Sequence, residues 1–196
     1  LNNSGIIKAY NSINLTFDGD VINDLAIFAN GDITLTSNNG DISNSANSNI
    51  ASKDSNLTLN ANLGTINNSA SGLLGYLYVS GSDSDSSEEF FTNNLTLNSK
   101  YLTNSGVIYA YDIDATVTED LTNGSDSISI SESDSDSDSS SIYATNNLDL
   151  TVTNNFSNRG DLFAGNSLTI TNTTGVIDNN GTIKSNSTIG IYTDTL

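Results

Sequence analysis

The sequence predicts an all-β protein, a parallel β-helix of about eight coils. Three observations predict it: a repeating unit that fills the chain, an apolar alternation of period two within each unit, and an asparagine that returns at one position every time. The first unit, LNNSGIIKAYNSINL, carries an apolar residue at its start, Asn at +2, Gly at +4 and an apolar residue at +6. A small residue follows at +8 and apolar residues at +12 and +14. The register restarts at Val21, Ile42, Ile66, Leu102, Leu121, Phe156 and Ile177. Position +2 reads Asn3, Asn23, Asn44, Asn68, Asn104, Asn123, Asn158 and Asn179.

Inward positions fall on even offsets, which is the side-chain period of a strand and not of a helix. Turn signals such as Asp18-Gly19-Asp20, Asn38-Asn39-Gly40 and Thr174-Gly175 separate the units. A unit of about 20 residues cannot bury its apolar side alone, so each must stack on its predecessor. At about 4.8 Å per coil, eight coils make a rod roughly 38 Å long. A narrow interior needs a small wall facing the large aliphatics, which fits Ala9, Ala29, Ala51, Ala110, Ala144, Ala164 and Ser185. The asparagines are expected to point inward and stack as an amide ladder that satisfies buried turn groups. Residues 1–196 read as one β-helix segment excised from a longer chain.

Composition narrows the chemistry. Asn, Ser and Thr make up 84 of 196 residues, while Cys, His, Met, Trp and Pro are absent. Catalysis by Cys or His, zinc sites built from them, and disulfides are therefore excluded. A net charge of −18 argues against nucleic acid and anionic membrane surfaces as partners. No apolar run approaches the ~20 residues of a membrane-spanning helix, so no membrane insertion is expected.

Units four and six are long. Their extra residues, about 72–89 and 126–141, each carry an alternating apolar flank and an acidic Ser/Asp tip, and are expected to form β-hairpin flaps on one wall. The tips hold Asp83, Asp85, Glu88, Glu89, Glu132, Asp134, Asp136 and Asp138, without the turn glycines of a calcium loop. No metal or cofactor is expected. Position +7 should face outward, yet reads Lys8, Phe28, Ile50, Phe90, Tyr109, Tyr143, Phe163 and Lys184, with Tyr10 and Tyr111 beside it. Such an apolar stripe reads as a contact face, comprising Phe28, Phe90, Tyr109, Tyr111, Tyr143 and Phe163, unless the flaps cover it or the rings only stack.

The string L-x-N-x-G-x-I-x-A-x-x-x-L-x-L, as in Leu102–Ala110 and Phe156–Ile170, resembles the filamentous-haemagglutinin repeat of two-partner secretion exoproteins. That family includes large bacterial adhesins and contact-dependent growth-inhibition exoproteins. The resemblance spans all eight units. It implies a right-handed parallel β-helix, export through an outer-membrane transport partner, and display as a filament at the bacterial cell surface.

The functional expectation is a secreted structural and adhesive segment, not an enzyme, whose partner is a host- or target-cell surface receptor or glycan. Two alternatives stand beside it. A carbohydrate-active β-helix enzyme needs two carboxylates on a rigid wall, for which Asp112, Asp114 and Asp149 are the acids outside turns and tips. An ice-binding solenoid needs an unbroken T-x-T array, suggested by Thr34/Thr36, Thr151/Thr153 and Thr169/Thr171 but interrupted by Asn14, Asn60, Asn98 and Gly190/Tyr192. Sequons such as those at Asn14, Asn56 and Asn94 could accept sugar.

Overall fold

A computed structural model describes residues 1–79, 88–124 and 140–194. The described residues form strands and turns with no helix. Strands from successive units pair in parallel, so the chain is a β-solenoid of eight coils. Each coil contributes to three walls. One carries the asparagines, as in Val21–Asn23 and Phe156–Asn158. The second is short, as in Ala26–Ala29 and Asp161–Ala164. The third is longer, as in Ile33–Ser37 and Ser167–Asn172. Two continuous strands, Asn56–Asn68 and Asn94–Asn104, run from the third wall round the corner into the asparagine wall and join the two into one sheet.

Register explains the core. On the third wall Ile33, Leu57, Leu95, Ile113, Leu148 and Leu168 stack in one column. On the asparagine wall Val21, Ile42, Ile66, Leu102, Leu121 and Phe156 do the same. All are 2 % exposed or less. The short wall faces them with Ile27, Ile50, Leu74, Ile108, Ile142 and Leu162 in one column, and with small residues in the next. Burial of this apolar surface, at roughly 25 cal/mol per Å², is the main force holding coil to coil.

Polar bonds lock the stack at its corners. Carboxylates accept backbone N–H groups from the following coil: Asp20 from Asp41 at 2.9 Å, Asp41 from Thr65 at 2.7 Å, Asp112 from Asn147 at 2.9 Å and Asp120 from Asn155 at 2.9 Å. Part of the negative charge is thus committed to structure. The glycine of the repeat has a steric cause: a Cβ on Gly160 would lie 2.2 Å from the Ser140 carbonyl oxygen, where consecutive turns nearly touch.

Coil three departs from the expected register by one residue. A turn closed by Ser48 N–H donating to the Ser45 carbonyl, with Asn47 at φ 60°, lengthens the corner before the short wall. Ile50 therefore points inward beside Ile27 and Leu74 rather than outward, and Ala51 takes the outward position beside Phe28. The small column uses Ser52, not Ala51.

The first insertion is a hairpin, but its limits are shifted toward the chain end from the 72–89 expected, to Tyr76–Phe91. Leu73–Leu74 still pairs with the coils on both sides. The chain leaves at Gly75, runs out as Tyr76–Val79, returns antiparallel as Glu88–Phe91 and rejoins the coil at Thr92. Thr92 then fills the small column of coil four, its Oγ1 3.2 Å from the Ser52 Oγ. Gly75 is required at the exit: its φ is +90° and a Cβ would meet the Tyr109 carbonyl oxygen at 2.1 Å.

The second insertion, expected over 126–141, lies mostly outside the described residues, as do the tip acids Asp83, Asp85, Glu132, Asp134, Asp136 and Asp138. Its described ends show that the two insertions do not leave at the same place. The first departs after the short-wall strand of its coil, whereas the second departs at Gly124, before the short-wall strand Ser141–Ala144. Ser140 and Ser141 already belong to the coil, bonding to Asp161 N–H and to the Gly106 carbonyl.

Candidate functional site: an aromatic ladder on the short wall

The asparagine column is an inward scaffold, as its place in the repeat dictates. Each Nδ2 donates to the Oδ1 of the asparagine in the next coil. The seven links from Asn3 through Asn23, Asn44, Asn68, Asn104, Asn123 and Asn158 to Asn179 measure 2.7–2.9 Å. Most also donate to a backbone carbonyl at the head of the next short-wall strand, as Asn104 does to Ser141 at 3.1 Å. From Asn23 to Asn158 these side chains are 0–1 % exposed, so they hold the corner and offer nothing to a ligand.

The outward column of the short wall is not one stripe. Phe28 and Phe90, expected to be exposed, are 5 % and 0 % exposed. Phe90 is not a coil residue at all; it sits on the return strand of the hairpin. The hairpin folds back over coils two and three, where Leu77 and Phe90 cover Ala26, Phe28 and Ala51 in a separate small core. Phe28 and Phe90 meet edge to face at 4.9 Å, a geometry aromatic pairs favour. The physical reason is area: an apolar strand leaving the coil is stabilised by lying on the nearest uncovered apolar surface.

The hairpin's strand pairing sets Tyr76 opposite Phe91, and both rings reach Tyr109. Tyr76 meets it at 5.8 Å and 79°, Phe91 at 5.1 Å and 50°. From there the register Tyr109–Tyr143–Phe163 carries the rings along the rod at 5.1 Å and 4.5 Å, tilted by 44° and then 18°. Lys184 closes the column with its Nζ 5.9 Å from the Phe163 centroid. Tyr76, Phe91, Tyr109, Tyr143 and Phe163 are partly exposed, and Tyr111 stands at the adjacent corner, 46 % exposed. Shallow grooves open along this face, one of about 450 Å³ beside Tyr143, Asp161, Phe163 and Lys184, another of about 400 Å³ at Tyr76, Glu89, Phe91 and Tyr109. Burial, then Tyr143, then Glu89 raise the Tyr109 hydroxyl above the ordinary tyrosine pKa. Glu89 accepts a hydrogen bond from the Tyr76 hydroxyl at 2.9 Å.

Sequence reasoning placed Tyr109, Tyr143 and Phe163 in one column but missed Tyr76 and Phe91. The alternation of Tyr76 and Leu77 against Glu89-Phe90-Phe91 was the available signal, because it splits the hairpin into one face for coils two and three and one for the ladder.

The third wall carries the acids and threonines. Asp114 and Asp149 are register partners, with a small groove of about 240 Å³ between them and Asp112, Asn94 and Asn147. Burial, then Asp149, raises the pKa of Asp114. The threonine columns follow a register different from the one expected: Thr151 pairs with Thr171, so its partner toward the chain start is Asp149, not Thr153. Complete T-x-T pairs occur only at Thr34/Thr36 and Thr169/Thr171, with carboxylates at Asp114 and Asp149 between them. An ordered ice-facing lattice is not presented.

No protein-family model, no curated protein and no solved structure matches the chain.

Proposed function

We propose that the chain is a structural and adhesive segment of a secreted bacterial surface filament, with the aromatic ladder as its contact face. The supporting observation is positional. Five rings in mutual contact stay partly exposed on the outward side of a stacked, hydrogen-bonded rod, where a solvated strand would carry Thr, Ser or Asn. Aromatic anchors on a rigid support lose little entropy on binding and dominate contact energetics. The work done is reach and recognition, with no bond made or broken. The partner is a host- or target-cell surface receptor or glycan, and an outer-membrane transport partner brings the full-length protein out.

The test is adhesion of the purified chain to epithelial and to bacterial cells. Combined Tyr109→Ala, Tyr143→Ala and Phe163→Ala changes should weaken it at least tenfold, a loss of about 1.4 kcal/mol or more, with the circular-dichroism strand signature retained. Adhesion equal to wild type by a folded variant would remove the ladder from consideration.

One observation favours a second reading. The Asp114/Asp149 register pair sets two carboxylates side by side on a rigid wall, and burial and then Asp149 raise the pKa of Asp114, the direction a general acid needs. Release of reducing sugar from a polysaccharide panel, abolished by Asp149→Asn, would establish it. No release would dismiss it.

A further inference from the structure

The lysines share one habit. All four sit over aromatic rings: Lys8 over Tyr10 and Phe28, Lys53 over Phe90, Lys100 over Tyr101 and Lys184 over Phe163, at 5.3–5.9 Å from the centroids. A ring carries negative charge on its face and attracts a cation held within about 6 Å of its centroid. Two of these lysines terminate the outward column of the short wall, Lys8 at coil one and Lys184 at coil eight. Between them, no described lysine or arginine stands over Tyr109 or Tyr143. These two rings are tilted by 44°, so they splay rather than lie flush.

Carboxylates bracket this stretch. Glu89 holds the Tyr76 hydroxyl and acts on Tyr109, while Asp161 lines the groove that contains Tyr143 and Phe163. The whole molecule carries a charge of −18, which concentrates cations and repels anions. We infer that the ladder docks an arginine-bearing, positively charged peptide segment of its partner, with guanidinium groups on the Tyr109 and Tyr143 rings and paired to Glu89 and Asp161. Arginine fits better than lysine because its planar group stacks on a ring while its N–H groups still reach a carboxylate. Acidic glycans and other polyanions are excluded by the same field.

This inference rests on the ladder being the contact face, and the experiment keeps the two apart. The probe is a fluorescent arginine–serine repeat peptide, with citrulline–serine and lysine–serine peptides of equal length as comparisons. Binding to the full chain is followed by anisotropy at about 150 mM salt, where the Debye length is about 8 Å. The arginine peptide should bind roughly tenfold more tightly than the citrulline peptide and a few-fold more tightly than the lysine peptide. Tyr109→Leu with Tyr143→Leu, which leaves the charge unchanged, should weaken it roughly fivefold or more. Arginine and lysine peptides binding alike, with the Leu variant equal to wild type, would mean simple attraction to acidic loops and overturn the inference. The peptide comparison needs no mutant, so it decides even if the variant misfolds. If cell adhesion depends on the ladder but the arginine peptide neither binds nor competes, the cation proposal falls and the contact face stands. If adhesion ignores the ladder, both fall.

Discussion

Replacing Asn104 with leucine removes one rung from the middle of the amide ladder. Asn104 accepts from Asn68 Nδ2 at 2.9 Å and donates to Asn123 Oδ1 at 2.8 Å and to the Ser141 carbonyl at 3.1 Å. Its neighbours in the column are fully buried, so water cannot replace what is lost. Two acceptors lose a donor at about 1–3 kcal/mol each. Asn68 is hurt less, since it keeps the Gly72 and Val107 carbonyls, both at 3.1 Å. A buried leucine returns up to about 2 kcal/mol of apolar transfer energy. The net loss is about 1–4 kcal/mol, a fall in Tm of roughly 3–12 °C for a chain of this size. Asn179→Leu is the internal control: Asn179 is exposed at the last coil, and the Asn158 Nδ2 that loses it as acceptor keeps the Thr182 carbonyl at 3.2 Å. That variant should melt within about 1–2 °C of wild type. Thermal melts by circular dichroism compare the three proteins. An Asn104→Leu protein as stable as wild type, or an Asn179→Leu protein as damaged as Asn104→Leu, would refute the claim that buried amide pairing holds the corner.

Gly75→Ala forces a Cβ into a left-handed residue against the Tyr109 carbonyl; it should cost about 1–3 kcal/mol and appear as a lower Tm. Phe90→Ala should leave the solenoid folded but weaken the hairpin's attachment by about 3–5 kcal/mol, read as faster proteolysis within the hairpin. Asp114 is different in sign. Because burial and then Asp149 raise its pKa, the folded chain binds that proton more tightly than the unfolded chain, so its charge weakens the fold at neutral pH and the penalty disappears as pH falls through the folded pKa. Asp114→Asn should therefore raise Tm at pH 7 by roughly 1–2 °C and change nothing below about pH 3.

The columns were legible because parallel stacking repeats one environment eight times. Val21, Ile42 and Ile66 share a wall position, and so do Asn23, Asn44 and Asn68. The slip at Ile50 was not legible, because the lengthened turn around Asn47 has the same polar composition as an ordinary corner, and Ile50-Ala51 reads plausibly with either residue inward. The hairpin could be expected from its alternation, and its lying over the stripe stood as an alternative, but not which coils it would cover. That depends on Phe28 and Ala51 lying under Phe90, a contact between segments far apart in sequence. Asp20 reads only as a turn former, and nothing in the sequence marks the N–H groups that Asp20, Asp112 and Asp120 hold, because they belong to neighbouring coils that only the stacking register identifies. The acidic pair Asp114/Asp149 was visible as two acids on a wall, while their adjacency required knowing that the coil resumes at Ser140 and Ser141.

The contact face is tested most directly by oxidative footprinting of the tyrosine and phenylalanine rings, with the chain free and then bound to epithelial or bacterial cells. Tyr109, Tyr143 and Phe163 should be modified in the free protein and protected when bound. Tyr10 and Tyr192, 80 % and 62 % exposed, should be modified equally in both states. Protection at Tyr10 or Tyr192 with none at the ladder would contradict the account.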